Sequence, residues 1–309
     1  METIIIDGRK LRDEILAKIK KQAVSLSFQP IFCDVLVGND PVSVQYVNMK
    51  AKTAESAGIK FHRADFPETI SAKKLISEIK KLNEVPNMCG IIVQLPLPES
   101  LDSRQILDAI DSRLDVDCLG TIASEKFYNG EINLGFPTAF ACMVILDSLK
   151  LDLSNKKIVV LGQGDLVGKP VAYLLRLRRF SVDTITRKTP TRNASSIADA
   201  GGENKETLIK NADVIISGMG NGKYIAGNMI KKGAVLIDAG TSESNAGIVG
   251  DIDLESVKDV AGFVSPVPGG VGPVTVAMLF NNVLTVAKNL PKPCLGGSPK
   301  QGFGNKTNE

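Results

Sequence analysis

Histidine is almost missing from this chain. One, His62, stands among 309 residues, which excludes most histidine-rich metal sites and leaves no second imidazole to serve as a base. It sits in IKFHRADF, a stretch that reads as a strand edge, where a structural role fits it best. Acid–base chemistry then falls to Lys, Tyr, Asp or Gln. The five cysteines, Cys33, Cys89, Cys118, Cys142 and Cys294, stand far apart. No CxxC pair exists for zinc or redox work, and an odd count without a leader reads as free thiols. A formal charge of +3 is too small to argue for nucleic acid or a membrane as partner. No apolar stretch approaches the ~20 residues needed to cross a bilayer, and no charged-then-apolar leader opens the chain. A cytoplasmic protein is expected, with no metal.

Hydrophobic residues make up 43% of the chain, enough for one large core or two moderate ones. Apolar β-type runs alternate with helical stretches: strands at 31–37, 59–65 and 89–94, with helices near 43–57 and 71–82 between them. A second set of strands is expected at 157–161, 182–186, 213–217, 234–238 and 260–264. Such alternation argues for an α/β protein with parallel sheets and helices on both faces. The helical pattern from Phe136 to Lys150 precedes a fresh strand–glycine–helix unit, so a domain hinge is placed there. The expected division is 1–135 with 273–290 for the first domain and 136–272 for the second. The Gly-, Pro- and Lys-rich tail, 291–309, has too little apolar content to pack and is expected to be mobile.

SPVPGGVGPVTVAML, from Ser265 to Leu279, is the most informative run. Pro266 and Pro268 hold the backbone extended, and Gly269, Gly270 and Gly272 strip side chains from one patch, where a flat ligand could lie. Pro273 suits the first position of the helix that follows. The glycines by themselves fit an ordinary turn before a core helix equally well.

Four further segments carry chemistry. Asp40 and Pro41 open a helix as cap and first residue. Val44, Val47, Ala51 and Ala54 are expected to face the core, with Tyr46, Lys50 and Thr53 as a neighbouring stripe. A lysine on the shoulder of a buried face is partly desolvated, which lowers its pKa and suits it to proton exchange; a Tyr–Lys pair also fits a plain solvated flank. Gln94 ends the strand CGIIVQL, where ligands gather in parallel sheets, and could orient that lysine. In LDVDCLG, Asp115 and Asp117 are either turn formers or a pocket carboxylate accepting two parallel N–H bonds. A 2-amino-4-oxo pterin offers such a donor pair. Finally, KIVVL leads into Gly162, Gln163 and Gly164, then Gly168, Lys169 and Pro170 opening a helix. This is a turn for nucleotide phosphates, with Gly168 one residue beyond the usual third glycine. The next strand runs into Arg187 and Lys188, with Arg192 behind, while Asp183 comes too early to reach a ribose. Cations there suit the 2′-phosphate of NADP, against the alternative of a solvated basic loop.

Together VGNDPVSVQYVNMKAKTAESAGI, GIIVQLPLP, LDVDCLG, LVGKP, GAVLIDAG, GDIDL and SPVPGGVGPVTVAMLFNN resemble, in order and spacing, the bifunctional methylenetetrahydrofolate dehydrogenase/cyclohydrolases. The resemblance spans about residues 1–290. It implies two α/β domains around a cleft: an N-terminal folate-binding and catalytic domain and a Rossmann-type NADP-binding domain, with the last helix returning to the first. It implies NADP-dependent oxidation of 5,10-methylenetetrahydrofolate, hydrolysis to 10-formyltetrahydrofolate, and a homodimer formed through the nucleotide domain. Lys50, Tyr46, Gln94 and Asp117 match the catalytic set. Val93 and Leu95 beside Gln94, with Pro268, Gly269, Gly270, Val271 and Gly272, complete the folate contacts. Gly162, Gln163, Gly164, Val167, Gly168, Arg187, Lys188, Gly218 and Thr241 match the cofactor contacts.

The chain departs from the family pattern at four places. Cys118 replaces the glycine of DVDG, and Phe136 to Ala141 replace PCTPxG, keeping only Thr138 in register. Gly162-Gln163-Gly164 replaces GRS, and Thr186-Arg187 replaces an HS pair, so Arg187 is expected to compensate for the missing arginine. Alternatives are an NAD-linked monofunctional dehydrogenase, a cyclohydrolase alone, or a noncatalytic folate-binding paralogue.

Overall fold

The computed structural model describes residues 2–190, 204–244 and 247–290. Arg192, Cys294 and the 291–309 tail lie outside the described residues. A three-stranded parallel sheet is formed by β2 (Ile31–Val37), β3 (Lys60–Phe66) and β4 (Met88–Val93), in the order β3-β2-β4. Helices α1 (Gly8–Val24), α2 (Pro41–Ser56) and α3 (Ala72–Asn83) accompany it. The charged α1 is not among the expected elements. β2 is central and buried almost end to end, as a strand covered on both faces must be. His62 lies exposed on the edge strand β3.

After the short helices α4 (Ser103–Leu107) and α5 (Thr121–Tyr128), α6 (Pro137–Ser148) leads into a second sheet. Its strands are β5 (Ile158–Leu161), β6 (Val182–Ile185), β7 (Val214–Ser217), β8 (Val235–Asp238) and β11 (Phe263–Val264), joined by β1 (Ile4–Ile5) from the chain start. The order is β1-β11-β8-β7-β5-β6, and every pairing is parallel. Ile4 and Ile5 thus extend the second sheet, although the sequence reading grouped 1–135 with the first domain. A separate antiparallel ribbon joins β9 (Ser242–Ser244) to β10 (Gly247–Val249). Helix α7 (Gly168–Leu177) follows β5, α8 (Lys205–Asn211) precedes β7, and α9 (Leu254–Val257) precedes β11. Since β6 and β7 lie on opposite sides of β5, the carboxyl end of β5 is the switch point where α/β sheets open a crevice.

The last helix, α10 (Val271–Asn289), ties the halves together. Phe280 and Val283 sit in the core under the small sheet, whereas Val274 and Met278 sit in the core of the large one. Phe280 meets Phe32 edge-on with ring centroids 5.2 Å apart. At 19 residues and a mean hydropathy of 1.3, α10 is long and apolar enough to cross a bilayer, contrary to the expectation that no stretch approaches that length. Its apolarity has another use: it serves two cores at once, so little of its circumference is left for water. The helix also starts two residues earlier than expected. Pro273 is its third residue, still within the first turn, where amides have no intrahelical acceptor to lose.

Candidate active site

Helix α2 is capped as the sequence suggests, Asp40 accepting from the Ser43 amide at 2.8 Å with Pro41 first in the helix. Its buried stripe differs from the expected one. Ser43, Val47, Lys50 and Ala54 face inward, while Val44 and Ala51 are half-buried. Lys50 is therefore in the buried face, 7% exposed, rather than on its shoulder. Its counter-ion is Asp34 in the middle of β2, 0% exposed, with Oδ2 2.7 Å from Lys50 Nζ. Neither Asp34 oxygen has a hydrogen-bond partner among the described residues, so the contact with Lys50 is an ion pair. Burial pushes the Asp34 carboxyl up from the ordinary range, opposed by Lys50. Sequence reasoning passed over Asp34. The available signal was one acidic residue inside the otherwise apolar run IFCDVLV.

Lys50 also donates to Gln94 Oε1 at 2.8 Å, and the Gln94 amide nitrogen donates to the Leu95 carbonyl at 3.0 Å. That second bond aims the Gln94 oxygen at the lysine. With one of its three donors given to Gln94, Lys50 keeps donors for whatever occupies the cavity it lines. This cavity, about 220 Å³, brings together Lys50, Val93, Gln94, Leu95 and Asp117 with Phe136, Thr138, Leu166 and Thr275. A neighbouring cavity of about 360 Å³ shares Leu95, Leu119, Phe136 and Leu166 and extends toward Arg104, Ser124 and Glu125. Leu166 belongs to the loop between β5 and α7, so both halves of the molecule wall the cleft. Tyr46, one turn before Lys50, is 42% exposed and lies outside the wall of the smaller cavity.

Asp117 is held near Lys50 by an unusual turn. Burial raises its carboxyl pKa to about 7, with Lys50 opposing and Asp115 and Asp34 adding to the rise. Asp115 is itself pushed up to about 6 by burial, although Gly120 N donates to its Oδ2 at 2.7 Å. Cys118, which stands where the resemblance expects glycine, adopts a left-handed φ of 60°. Its thiol is fully buried and reaches the Ala123 carbonyl at 3.3 Å, pointing into the core rather than at the cleft. The side chain added beside Asp117 is thereby kept out of the cavity. Buried Asn282 of α10 fixes the surroundings, donating to Val116 O at 2.8 Å and Gly135 O at 2.7 Å. One amide group so positions both the Asp117 turn and the Phe136–Thr138 wall.

The Pro268–Gly272 segment does not line the smaller cavity. It packs against the start of α1, Gly8 N donating to Gly269 O at 3.0 Å. A Cβ on Gly8 would fall 1.8 Å from Gly270 O, so the two glycine segments fit only because side chains are missing.

The nucleotide turn is built the same way. Gly162 takes φ 87°, and a Cβ on Gly168 would come within 2.0 Å of Gly162 O. The amino end of α7 is thereby drawn tight under the carboxyl end of β5, leaving room for a phosphate against bare backbone. Val167 precedes α7 and packs on Gly218, where a Cβ would lie 2.8 Å from its side chain. Gln163 folds back on its own loop, Nε2 donating to Gly162 O at 2.7 Å, and so points away from a ligand's phosphates. Arg187 and Lys188 are exposed immediately after β6, and Asp183 is only its second residue. Gly218 and Thr241 sit on loops pinned by two buried carboxylates. Asp251 accepts from Ser217 Oγ at 2.6 Å and from the Met219 and Asn221 amides at 2.7 Å. Asp238 accepts from the amides of Gly240, Asp251 and Ile252. Neither carboxylate was singled out from sequence, although GAVLIDAG and GDIDL contain them, since an aspartate at a strand end or in a loop carries no signal of what it will accept.

A parallel-sheet nucleotide half and a small α/β half enclosing a lysine-centred cleft define a two-domain enzyme of the dehydrogenase type. Residues 6–117 match the catalytic domain, and residues 137–290 the NAD(P)-binding domain, of tetrahydrofolate dehydrogenase/cyclohydrolase. The bifunctional protein FolD of Nautilia profundicola is 36% identical over 292 residues, 93% of this chain and 98% of that protein. The bifunctional FolD dehydrogenase/cyclohydrolase of Campylobacter jejuni superposes with a TM-score of 0.84 at 32% identity, covering 93% and 99% of the two chains. The Trypanosoma brucei enzyme, solved with NADP cofactor and an inhibitor, gives 0.82 at 31% identity, covering 93% and 98%. The chain belongs to the tetrahydrofolate dehydrogenase/cyclohydrolase family.

Proposed function

We propose that this cleft performs two consecutive reactions on one folate: oxidation of 5,10-methylenetetrahydrofolate to the methenyl cation, then its hydrolysis to 10-formyltetrahydrofolate. The observation that carries the reading is Lys50 held by Gln94 and Asp34 at the wall of a cavity that also contains Asp117. The turn from Gly162 to Gly168 and the exposed pair Arg187–Lys188 would hold the dinucleotide, and when bound its nicotinamide supplies the hydride acceptor. Arg187 and Lys188 favour NADP because a 2′-phosphate needs cations where an acidic residue would hold a bare ribose. Asp117, ionised, accepts the paired N–H donors of the 2-amino-4-oxo pterin edge. That bond fixes the ring so that its one-carbon bridge lies by Lys50. Water then adds to the electrophilic methenyl carbon, and Lys50 moves the proton as the ring opens. Tyr46, exposed one turn before Lys50, is assigned to flank the rest of the folate. The Pro268–Gly272 loop acts indirectly, seating α10, whose Thr275 lines the cleft.

Lys50→Met should lower hydrolysis of methenyltetrahydrofolate by about 10²-fold or more, with NADP reduction still measurable. The fold should survive, because the buried Asp34 carboxyl, already pushed up, takes a proton once its partner is gone. Full hydrolysis by this variant would remove Lys50 from the mechanism. Asp117 is neutral below its pKa of about 7 and then loses its capacity as a double acceptor. The folate KM should therefore be flat above that pH and rise by about tenfold per unit below it; a flat KM from pH 8 to 6 would contradict the assignment. Arg187→Ser should weaken NADP at least about tenfold more than NAD. Equal losses for the two cofactors would show that Arg187 does not hold the 2′-phosphate.

A further inference from the structure

The hydrolytic step needs Lys50 as a base, yet the structure places its ammonium against a carboxylate. We propose that Asp34 is a positioning residue for hydrolysis that acts through Lys50, holding it against Gln94 and accepting the proton Lys50 must release before it can act as a base. This rests on the function proposed above and gives Asp34, there only a support for Lys50, a part in the proton transfer.

Three observations carry it. Asp34 is fully buried in the central strand of the small sheet, with Oδ2 2.7 Å from Lys50 Nζ as an ion pair, close enough to exchange a proton once the two groups turn into line. Neither Asp34 oxygen has a hydrogen-bond partner among the described residues, so no donor beyond the charge of Lys50 holds the group as an anion. Lys50 has a second acceptor in Gln94 Oε1, so it keeps its place when the ion pair becomes a neutral pair. The ionisable groups around the pair are few. Arg63 lies beside Asp34 on β3, but Asp65 already engages its guanidinium at 2.7 Å. Asp117 and Asp115 lie on the turn beyond β4, and the Cys33 thiol next to Asp34 is pushed well above its ordinary range by burial. Desolvation penalises both charges of an ion pair, which brings the neutral amine–carboxylic acid form within reach.

The proton balance closes. A Lys50 N–H bond breaks as an Asp34 O–H bond forms, giving amine and carboxylic acid with no net charge. Water forms a C–O bond to the methenyl carbon, the electron pair of the C=N⁺ bond moves to nitrogen, and the water's proton goes to the Lys50 lone pair. The bond from that carbon to N5 then breaks with its electrons remaining on N5, which takes the proton from Lys50. The new hydroxyl loses its proton to solvent and becomes the formyl carbonyl. Asp34 returns its proton to Lys50, and one proton is released per turnover.

The test is Asp34→Asn, with Asp34→Val as a second variant that suits an apolar buried strand should the amide fold poorly. Methenyltetrahydrofolate hydrolysis and NADP-dependent oxidation are followed from pH 6 to 9 in the same preparations. At pH 7 the ratio of hydrolysis to oxidation should fall about tenfold or more, because solvent must now deprotonate Lys50. Hydrolysis kcat should then climb by about tenfold per pH unit where wild type is flat, with the hydrolytic KM changed by less than about threefold. An unchanged ratio and profile would overturn the proposal, as would a parallel loss of both activities, which a structural role predicts. Faster hydrolysis at low pH would overturn it too, showing that Asp34 restrains the base instead of relieving it. A wild-type protein that hydrolyses no methenyl substrate would instead defeat the underlying function, before any variant is made.

Discussion

A lysine ammonium buried in an apolar layer between a sheet and a helix has to be compensated, and the folate half of this molecule is arranged around that demand. Leaving such a charge unpaired costs about 3–5 kcal/mol, a large part of what holds a domain together. Asp34 supplies the charge, from a strand that is otherwise uniformly apolar, and Gln94 supplies a neutral acceptor from the end of the neighbouring strand. Both partners come from a three-stranded parallel sheet whose register is fixed by burial on two faces, so the lysine nitrogen has little freedom to wander. The rigidity that suits the fold also suits the chemistry, which needs a proton-transfer group held within a few tenths of an ångström.

The second constraint is the long helix that ends the described chain. Since α10 contributes side chains to both cores, the two halves cannot be repacked independently, and the cleft between them inherits a defined width. Asn282 extends that control into the site, tying the Asp117 turn and the Phe136–Thr138 wall to one helix. On the nucleotide side, Asp238 and Asp251 satisfy six donors between them and hold the loops that carry Gly218 and Thr241. Both halves thus use buried carboxylates, in one to pair with a buried lysine and in the other to shape the loops around Gly218 and Thr241.

Much of this was legible in the sequence because strong local rules governed it. Strand–helix alternation located nearly every strand of both sheets, the Asp40–Pro41 cap fixed the start of α2, and the glycines at 162 and 168 marked the tight turn from β5 into α7. What could not be read depended on tertiary context. The two-residue β1 is too short for any pattern. In α2, Val47 and Ala54 face inward as expected, but Ser43 and Lys50 take the places given to Val44 and Ala51, because a lysine is not expected in a buried stripe until its counter-ion is known. Asp34 gave no periodic signal, and its partner is 16 residues away on a different element. Cys118 looked like an obstacle beside Asp117, yet a left-handed backbone turns its thiol into the core. Gln163 turned out to serve its own loop, donating to the Gly162 carbonyl.

The central claim is that one cleft carries both reactions with NADP as the oxidant. The most direct measurement mixes the purified protein with 5,10-methylenetetrahydrofolate and either NADP or NAD, following reduced cofactor and the methenyl intermediate separately. The account predicts reduction with NADP and no lasting methenyl signal, since Lys50 stands ready to hydrolyse it. Accumulating methenyl product would contradict the claim of two activities in one site. Silence with both cofactors would contradict the dehydrogenase half outright.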